Sequence, residues 1–327
     1  MRALRFDGKS VVFDAKSSAP KPGAGEALLR PTMVGISSID VMIARGAGPL
    51  GPFTGVMGHE FVAVVEDAGE GASGVKAGSR VVGSIIAMCG KCDMCRSGLG
   101  AHCREKTVPG VQGRDGCFAE RFTLPAACLC EVPDSLEDDV AIFAEPLSCA
   151  LQAQQQIRVE GKPYITVLGD GPLGLLAAQA MTHLNASVRL LGRHEEKLDK
   201  CERWGIQHRH VNDVGRRADQ DVVVDCTGTT EGLTLAMRLV RPRGVIVLKS
   251  LGLGVEDGKG VDLTPLVEGE IQLLGSRTGP IREAVAMLER SDVVVEGLVT
   301  KRMRLEDGAK AIAAAGESGQ IKVVMEV

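Results

Sequence analysis

One short stretch constrains the fold of this 327-residue chain more than any other. An apolar segment at 165–168 runs directly into Gly169-Asp-Gly171-Pro-Leu-Gly174, and an apolar helical pattern follows. The first glycine permits a tight turn, the second lets the backbone approach a pyrophosphate, and the third lets the helix pack closely on the strand. Because N–H groups at a helix N-terminus bind anions, the stretch predicts a dinucleotide site. Its residues are Gly169, Gly171, Pro172, Leu173 and Gly174.

The chain on either side of this turn predicts two kinds of architecture. From the turn onward, apolar strands alternate with amphipathic helices, which indicates a parallel, doubly wound sheet with both faces covered. The predicted strands are 165–168, 188–191, a short one near His210, 222–225, 245–248 and 271–274. The first ~130 residues instead read as short β segments broken by Gly and Pro, such as 27–34, 61–66 and 118–124, typical of an antiparallel barrel. The predicted fold class is therefore α/β, with two domains.

The end of the second predicted strand bears on the choice of cofactor. An NAD site usually has an Asp or Glu there, but this strand ends in Gly192-Arg193-His194. Glycine leaves room for a 2′-phosphate, and the planar guanidinium of Arg193 suits it, so the sequence favours NADP over NAD. In the alternative, Arg193 is a solvated charge and Glu195 reaches the ribose. Asp170, inside the glycine turn, would repel a phosphate, so we expect its side chain to point away.

A second motif consists of four cysteines within 15 residues, Cys89, Cys92, Cys95 and Cys103. The spacing C-x2-C-x2-C-x7-C lets four thiolates close a tetrahedron around Zn²⁺ and leaves no position for a substrate. The other six cysteines are scattered through apolar or strand-like stretches. In a reducing compartment this pattern indicates one structural zinc and buried thiols rather than disulfides.

Charge and hydropathy bear on the partners and the compartment. The formal net charge of −4, with acids and bases interspersed, gives no broad cationic surface for a nucleic acid. The N-terminus has no apolar core of signal-peptide length, and no run approaches the roughly 20 apolar residues that span a bilayer. We therefore expect a cytoplasmic protein that binds a small molecule, with no nucleic acid and no membrane as partner.

Several segments together resemble the zinc-dependent alcohol dehydrogenase family of the medium-chain dehydrogenases/reductases. Besides the glycine turn and the cysteines, they are Val34-Gly-Ile-Ser-Ser-Ile-Asp40, Gly58-His-Glu60, Asp115-Gly-Cys-Phe-Ala-Glu120, Ala144-Glu-Pro-Leu147 and Asp225-Cys-Thr-Gly228. The resemblance implies a GroES-like, partly open β-barrel catalytic domain at 1–145 and a Rossmann domain at 146–279. Residues 280–327 would return to the catalytic domain, and the active site would lie in the cleft between the two.

The resemblance also implies an activity and an assembly. Hydride would pass between a nicotinamide cofactor and a small alcohol or polyol, or the corresponding carbonyl. Members of such families form homodimers or homotetramers. The cofactor contacts outside the glycine turn would be Gly192, Arg193, His194 and Thr227.

The catalytic zinc site of that family is altered in this chain. The resemblance matches His59, Glu60 and Glu145 to zinc ligands and Asp40 to a residue that orients the His59 ring. Ser37 stands in the cysteine's place, and a neutral hydroxyl is a far poorer zinc ligand than a thiolate. Ile39 replaces the Ser or Thr that relays the alcohol proton, which puts acid–base assistance of about 10²- to 10⁴-fold at stake.

Three interpretations of this altered site remain open. In the first, His59, Glu60 and Glu145 with water still hold a catalytic zinc, since two carboxylates neutralise the ion. In the second, the site is metal-free and positioning supports hydride transfer, as in zinc-free reductases of the same superfamily. In the third, the protein binds NADP(H) without turnover and acts as a sensor or partner.

Overall fold

The computed structural model describes residues 1–158, 160–215, 217–251 and 260–327 of the chain. The chain forms two compact units. The first unit comprises Met1–Glu145 and Ile281–Val327, and the second comprises Pro146–Pro280. In the described ranges, every helix is too short or too polar to cross a bilayer.

The N-terminal part of the first unit is built mainly from β-strands. They are β1 (Ala3–Phe6), β2 (Val11–Asp14), β3 (Glu26–Ile36), β4 (Gly55–Val56), β5 (Glu60–Ala68), β6 (Arg80–Gly83), β7 (Val108–Pro109), β8 (Gly113–Arg114), β9 (Phe122–Pro125) and β10 (Leu129–Glu131). Its α-helices are α1 (Ser38–Ala44), α2 (Asp93–Arg96) and α3 (Asp138–Ala141). The helix α4 (Ala144–Gln156) begins in the first unit and continues into the second.

The second unit alternates strands and helices. Its strands are β11 (Tyr164–Leu168), β12 (Ser187–Gly192), β13 (Gln207–His210), β14 (Gln220–Asp225), β15 (Val240–Leu248) and β16 (Gln272–Gly275). Its helices are α5 (Pro172–Thr182), α6 (Glu195–Arg203), α7 (Thr230–Leu239) and α8 (Thr264–Glu268). The chain then returns to the first unit through α9 (Ile281–Glu289), β17 (Val299–Arg304), α10 (Gly308–Ala315) and β18 (Lys322–Glu326).

The strands of the first unit form a seven-stranded sheet, a three-stranded sheet and a two-stranded sheet of β7 and β8. The seven-stranded sheet has the order β10-β6-β5-β3-β18-β17, with β9 also paired to β3, and the three-stranded sheet has the order β2-β1-β4. Strand β18 pairs antiparallel with β3, so strands from residues 281–327 and from residues 1–145 belong to the same sheet. The apolar residues of these strands share one core, in which the rings of Phe61 and Phe122 meet edge to face with centroids 4.8 Å apart.

The segment around Phe118 differs from the prediction. The sequence predicts a strand over 118–124, but the strand β9 begins only at Phe122. Phe118 lies before it with its ring against Gly58, where a Cβ atom would be 2.0 Å from the ring. Because Gly58 has φ +91°, the backbone there suits glycine, and the ring fills the space that a side chain would take.

The second unit confirms the predicted doubly wound sheet. All five strand pairs are parallel, in the order β13-β12-β11-β14-β15-β16. From β11 the chain builds outward in one direction through β12 and β13, and then in the other through β14, β15 and β16. Ligands of such sheets bind at the carboxyl ends of the strands where the order reverses, here the ends of β11 and β14.

Candidate functional site

The glycine turn follows β11 directly and leads into α5. Gly169 has φ +104°, and its N–H donates to the carbonyl of Leu191 at 2.8 Å, which ties the turn to the end of β12. A Cβ atom on Gly174 would lie 1.8 Å from the Gly169 carbonyl oxygen, so only glycine allows this packing. At Gly171 a Cβ atom would meet nothing within 4 Å. The turn therefore leaves the backbone at Gly171 open to a ligand at the start of α5.

A cavity of about 280 Å³ opens beside this turn. Its lining joins the glycine turn to the ends of β12 and β14, through Gly192, Arg193, Cys226 and Thr227. The N–H and hydroxyl of Thr227 both donate to Asp225, at 2.9 and 2.6 Å, which fixes the loop after β14. Of the predicted cofactor residues, the structure places Gly169, Gly171, Gly192, Arg193 and Thr227 in one lining, while Pro172, Leu173 and Gly174 form the first turn of α5.

Asp170 has a partner that the sequence did not reveal. Its carboxylate turns toward the end of β12, where one oxygen accepts the N–H of Arg193 at 2.6 Å and that of His194 at 2.8 Å. The Nδ1 atom of His194 lies 3.1 Å from both carboxylate oxygens. Burial alone would raise the pKa of Asp170, but the hydrogen bonds from His194 and Arg193 outweigh it and hold this pKa below its ordinary value. Asp170 is therefore a carboxylate that ties the glycine turn to the segment after β12.

The four predicted zinc ligands lie together. The Sγ atoms of Cys89, Cys92, Cys95 and Cys103 are all within 4.8 Å of one another. Cys92 Sγ is 3.5 Å from Cys95 Sγ and 3.8 Å from Cys103 Sγ. A tetrahedral zinc with Zn–S of about 2.3 Å requires sulfur separations of about 3.8 Å, whereas a disulfide requires about 2.05 Å. The donor set therefore fits one structural Zn²⁺ and not a disulfide.

The electrostatics of the segment 89–103, called the cysteine lobe below, favour a thiolate at Cys92. A backbone N–H from Arg104 leads the interactions that lower the pKa of Cys92 to about 6. Burial and hydrogen bonds shared with the neighbouring thiols raise the pKa of Cys95 to about 12. These interactions therefore favour the ionised form of Cys92, and zinc binding would displace the protons from the thiols that still carry them.

Ser37, in place of the family's cysteine, has a structural role in the first unit. It is the N-cap of α1, where its Oγ accepts the N–H groups of Ile39 and Asp40 at 3.1 and 3.3 Å. The same hydroxyl donates to Asp40 Oδ2 at 2.9 Å, and that oxygen accepts the N–H of Ser37 at 2.8 Å. This reciprocal capping box occupies the hydroxyl fully.

His59 lies beside Asp40, as predicted for an orienting carboxylate. The separation of His59 Nδ1 and Asp40 Oδ1 is 3.6 Å, and within the described residues neither atom has a hydrogen-bond partner. Both side chains are buried, and burial raises the pKa of Asp40. Because a hydrogen bond requires about 3.2 Å or less, a small movement of the ring would complete the pair.

Glu60 has an ionic partner that the sequence analysis missed. Its carboxylate forms an ion pair with Lys322 of β18, and the two side chains are 4% and 1% exposed. The lysine Nζ also lies 3.5 Å from the Ile36 carbonyl and 6.0 Å from the centre of the Phe143 ring. A single lysine in the apolar run Ile321-Lys-Val-Val-Met325 was the available signal, because a charge in such a strand needs a buried partner.

The residues predicted to hold a catalytic zinc do not converge in this structure. In the described ranges, the cysteine lobe is the only group of three or more His, Cys, Asp or Glu ligands within 4.8 Å of one another. Glu145 is buried in the first turn of α4, Glu60 is held by Lys322, and Ser37 caps α1. The donor set of His59, Glu60 and Glu145 therefore does not fit a zinc ion as arranged here, and its role as a catalytic zinc site stays a prediction.

Replacing Lys322 by Met is expected to destabilise the protein by about 3 to 5 kcal/mol, because it leaves the buried Glu60 carboxylate without its counter-charge. Denaturant unfolding would measure the loss. The double variant with Glu60→Gln removes both charges and should recover most of the stability. A loss below about 1 kcal/mol for Lys322→Met alone would show that the ion pair carries little of the stability.

Comparison with known proteins identifies the family. Residues 23–134 match the family "Alcohol dehydrogenase GroES-like domain", and residues 138–327 match "Glucose dehydrogenase C-terminus". The chain is 27% identical to a sorbitol dehydrogenase of Halalkalibacterium halodurans, over 94% of this chain and 93% of that protein. It is 30% identical to an L-threonine 3-dehydrogenase of Deinococcus deserti, over 86% of this chain and 79% of that protein.

Solved structures agree with these matches. A zinc-binding dehydrogenase from Sinorhizobium meliloti 1021, bound to NADP, aligns with a TM-score of 0.86 at 26% identity, over 100% of this chain and 99% of that one. The alcohol dehydrogenase TADH from Thermus sp. ATN1 aligns with a TM-score of 0.86 at 26% identity, over 100% of both chains. The chain therefore belongs to the zinc-dependent alcohol dehydrogenase-like oxidoreductases of the medium-chain dehydrogenase/reductase superfamily.

Proposed function

We propose that the protein is an NADP(H)-dependent oxidoreductase that transfers hydride between a small alcohol or polyol and the corresponding carbonyl. The observation that carries the proposal is the cavity lined jointly by the glycine turn, Gly192, Arg193 and Thr227. The open backbone at Gly171 suits a pyrophosphate at the start of α5, and Arg193 suits a 2′-phosphate. The NADP-bound structure from Sinorhizobium meliloti and the sorbitol dehydrogenase relative support the cofactor and the substrate class.

We propose further that the altered site works without a zinc ion. Lys322 already neutralises Glu60, and the hydroxyl of Ser37 is committed to its capping box. His59 is then the main polar side chain available to contact a substrate oxygen. It is buried, and Asp40 would orient its ring. Hydride transfer would then rest on positioning and hydrogen bonding rather than on a Lewis acid. Assembly as a homodimer or homotetramer and a cytoplasmic location stay predictions.

Zinc content separates this proposal from a catalytic zinc site. We expect one zinc per chain in the purified protein, held by the cysteine lobe, because four thiolates saturate one ion. Ser37→Cys is expected to bind no further zinc, since its partners are not gathered around it. Elemental analysis measures both. A second zinc that is lost in His59→Ala would instead support the catalytic zinc and contradict the metal-free site.

Turnover tests the reaction itself. The protein should oxidise polyols or reduce carbonyl compounds with NADP(H), followed by the absorbance of the reduced nicotinamide. Calorimetric titration with NADP⁺ and NAD⁺ provides the binding counterpart. If neither nucleotide binds, the proposed function fails; if both bind without any turnover over a broad substrate panel, a sensor or partner role replaces it.

A further inference from the structure

The carboxylate of Asp170 lies where the glycine turn meets the end of β12. A Cβ atom on Gly192 would lie 2.4 to 2.7 Å from the Asp170 side chain, so the absence of a side chain at 192 makes room for it. In NAD-dependent sites of this fold, an acidic residue at the end of the second strand contacts the ribose. Here the acid comes from the turn instead, and it faces the backbone of Arg193 and His194.

The Asp170 carboxylate accepts its hydrogen bonds from groups of the protein itself. One oxygen accepts two backbone N–H groups, and the His194 ring lies against both oxygens. The Asp170 side chain is 10% exposed. The geometry is therefore that of an anchor for the segment 192–194, and little of the carboxylate remains to accept a ribose hydroxyl.

Two basic residues near Asp170 differ in their exposure. Lys197 of α6 is buried, and the negative charge of Asp170 opposes the lowering of the Lys197 pKa by burial. Arg193 is exposed at the cavity, and across the described part of the chain its guanidinium forms no ion pair or hydrogen bond. The buried Lys197 ammonium thus offsets part of the negative charge of Asp170, while the charge of the exposed Arg193 stays available to an anion.

We propose that Asp170 is a positioning residue for recognition of the cofactor's 2′-phosphate: it anchors the backbone of Arg193 and His194 so that the Arg193 side chain faces the phosphate. This inference rests on the proposed use of NADP. It assigns selectivity to a residue of the glycine turn that does not itself touch the phosphate. Preorganisation of this kind strengthens binding by reducing the entropy lost when a loop is ordered.

The test uses two fragments that differ only in the 2′-phosphate, namely 2′,5′-ADP and 5′-AMP, titrated into the full-length protein by calorimetry. Asp170→Asn removes the charge without changing the size of the side chain. We expect it to lower the preference for 2′,5′-ADP over 5′-AMP by about tenfold, because hydrogen bonds to a charged acceptor are lost. If Asp170 were needed only for folding, the substitution would weaken the binding of both fragments equally.

A double-mutant cycle with Arg193→Ala shows whether Asp170 acts through Arg193. In the Arg193→Ala background, Asp170→Asn should change the preference by less than about twofold, because the group that it positions is gone. If Asp170→Asn does not fold, Asp170→Ser provides the second variant, since its shorter side chain cannot hold the N–H groups of Arg193 and His194 and should lower the preference similarly.

The outcomes separate this inference from the proposed function. If the wild type does not prefer 2′,5′-ADP, the use of NADP fails. If the wild type prefers it and Asp170→Asn keeps the preference, only the role of Asp170 is overturned. A stronger preference in Asp170→Asn would also overturn it, because the carboxylate would then be repelling the phosphate.

Discussion

Arg193→Ala is expected to weaken NADP binding by about 10- to 100-fold and to change NAD binding by less than about twofold. A charge-assisted, bidentate contact with a phosphate is worth about 1.5 to 3 kcal/mol, and each 1.4 kcal/mol is a factor of about ten. The effect should reach this range because Arg193 lines the cavity and, among the described residues, its guanidinium has no other ionic or hydrogen-bonding partner. Calorimetric titration of both nucleotides measures the two constants.

A matched control separates the contact from the loss of a charge. Arg203 lies in the last turn of α6, is exposed and is not part of the cavity lining. Arg203→Ala changes the net charge equally and should leave both affinities within about twofold, because exposed charges at a distance are screened by salt. Equal losses of NADP and NAD binding in Arg193→Ala would refute the phosphate contact and favour the alternative in which Glu195 reaches the ribose.

Cys92→Ser is expected to abolish zinc binding and to destabilise the first unit. Structural zinc sites in small peptides bind with about 10 to 16 kcal/mol, and this binding energy stabilises the folded state. Because the lobe is one part of a larger unit, we expect a loss in the free energy of unfolding on the order of 3 kcal/mol or more, as for other lost metal sites. Elemental analysis and denaturant unfolding measure the two effects.

Cys128→Ser is the control for this experiment. Cys128 is a buried thiol of the same unit, donates to the Ile86 carbonyl at 3.2 Å and is not part of the zinc-ligand cluster. Its replacement should cost core packing while zinc remains at one per chain. If Cys92→Ser retained a full equivalent of zinc, the lobe could not be the zinc site.

The elements that the sequence predicted well are those whose signals are local. The strands β11, β12 and β14 follow short apolar runs, and the glycine turn lies between β11 and α5 as predicted. The cysteine cluster follows from spacing, because four ligands within 15 residues need only one loop to bring them together. The prediction of a strand beginning at Phe118 was wrong because the Phe118 ring fills the space over Gly58. That contact joins residues 60 apart, and no local pattern encodes it.

The altered catalytic region shows the opposite case. The sequence identified Ser37, Asp40, His59, Glu60 and Glu145 as candidates, and it could also count the charge lost with the cysteine. It could not show that Lys322, 262 residues away from Glu60, supplies an ammonium group to that carboxylate. That pairing, and the capping box at Ser37, decide which donors remain available to a metal.

By itself, the sequence determined the two architectures, the nucleotide-binding turn and the zinc lobe, because each depends on residue types at short, fixed spacings. Only the tertiary structure decided which groups pair with the buried carboxylates. Glu60 pairs with Lys322, and Asp170 accepts hydrogen bonds from the backbone of Arg193 and His194. The physical reason is that a buried charge must find its partner wherever the fold brings one within reach, and separation along the chain does not predict that distance.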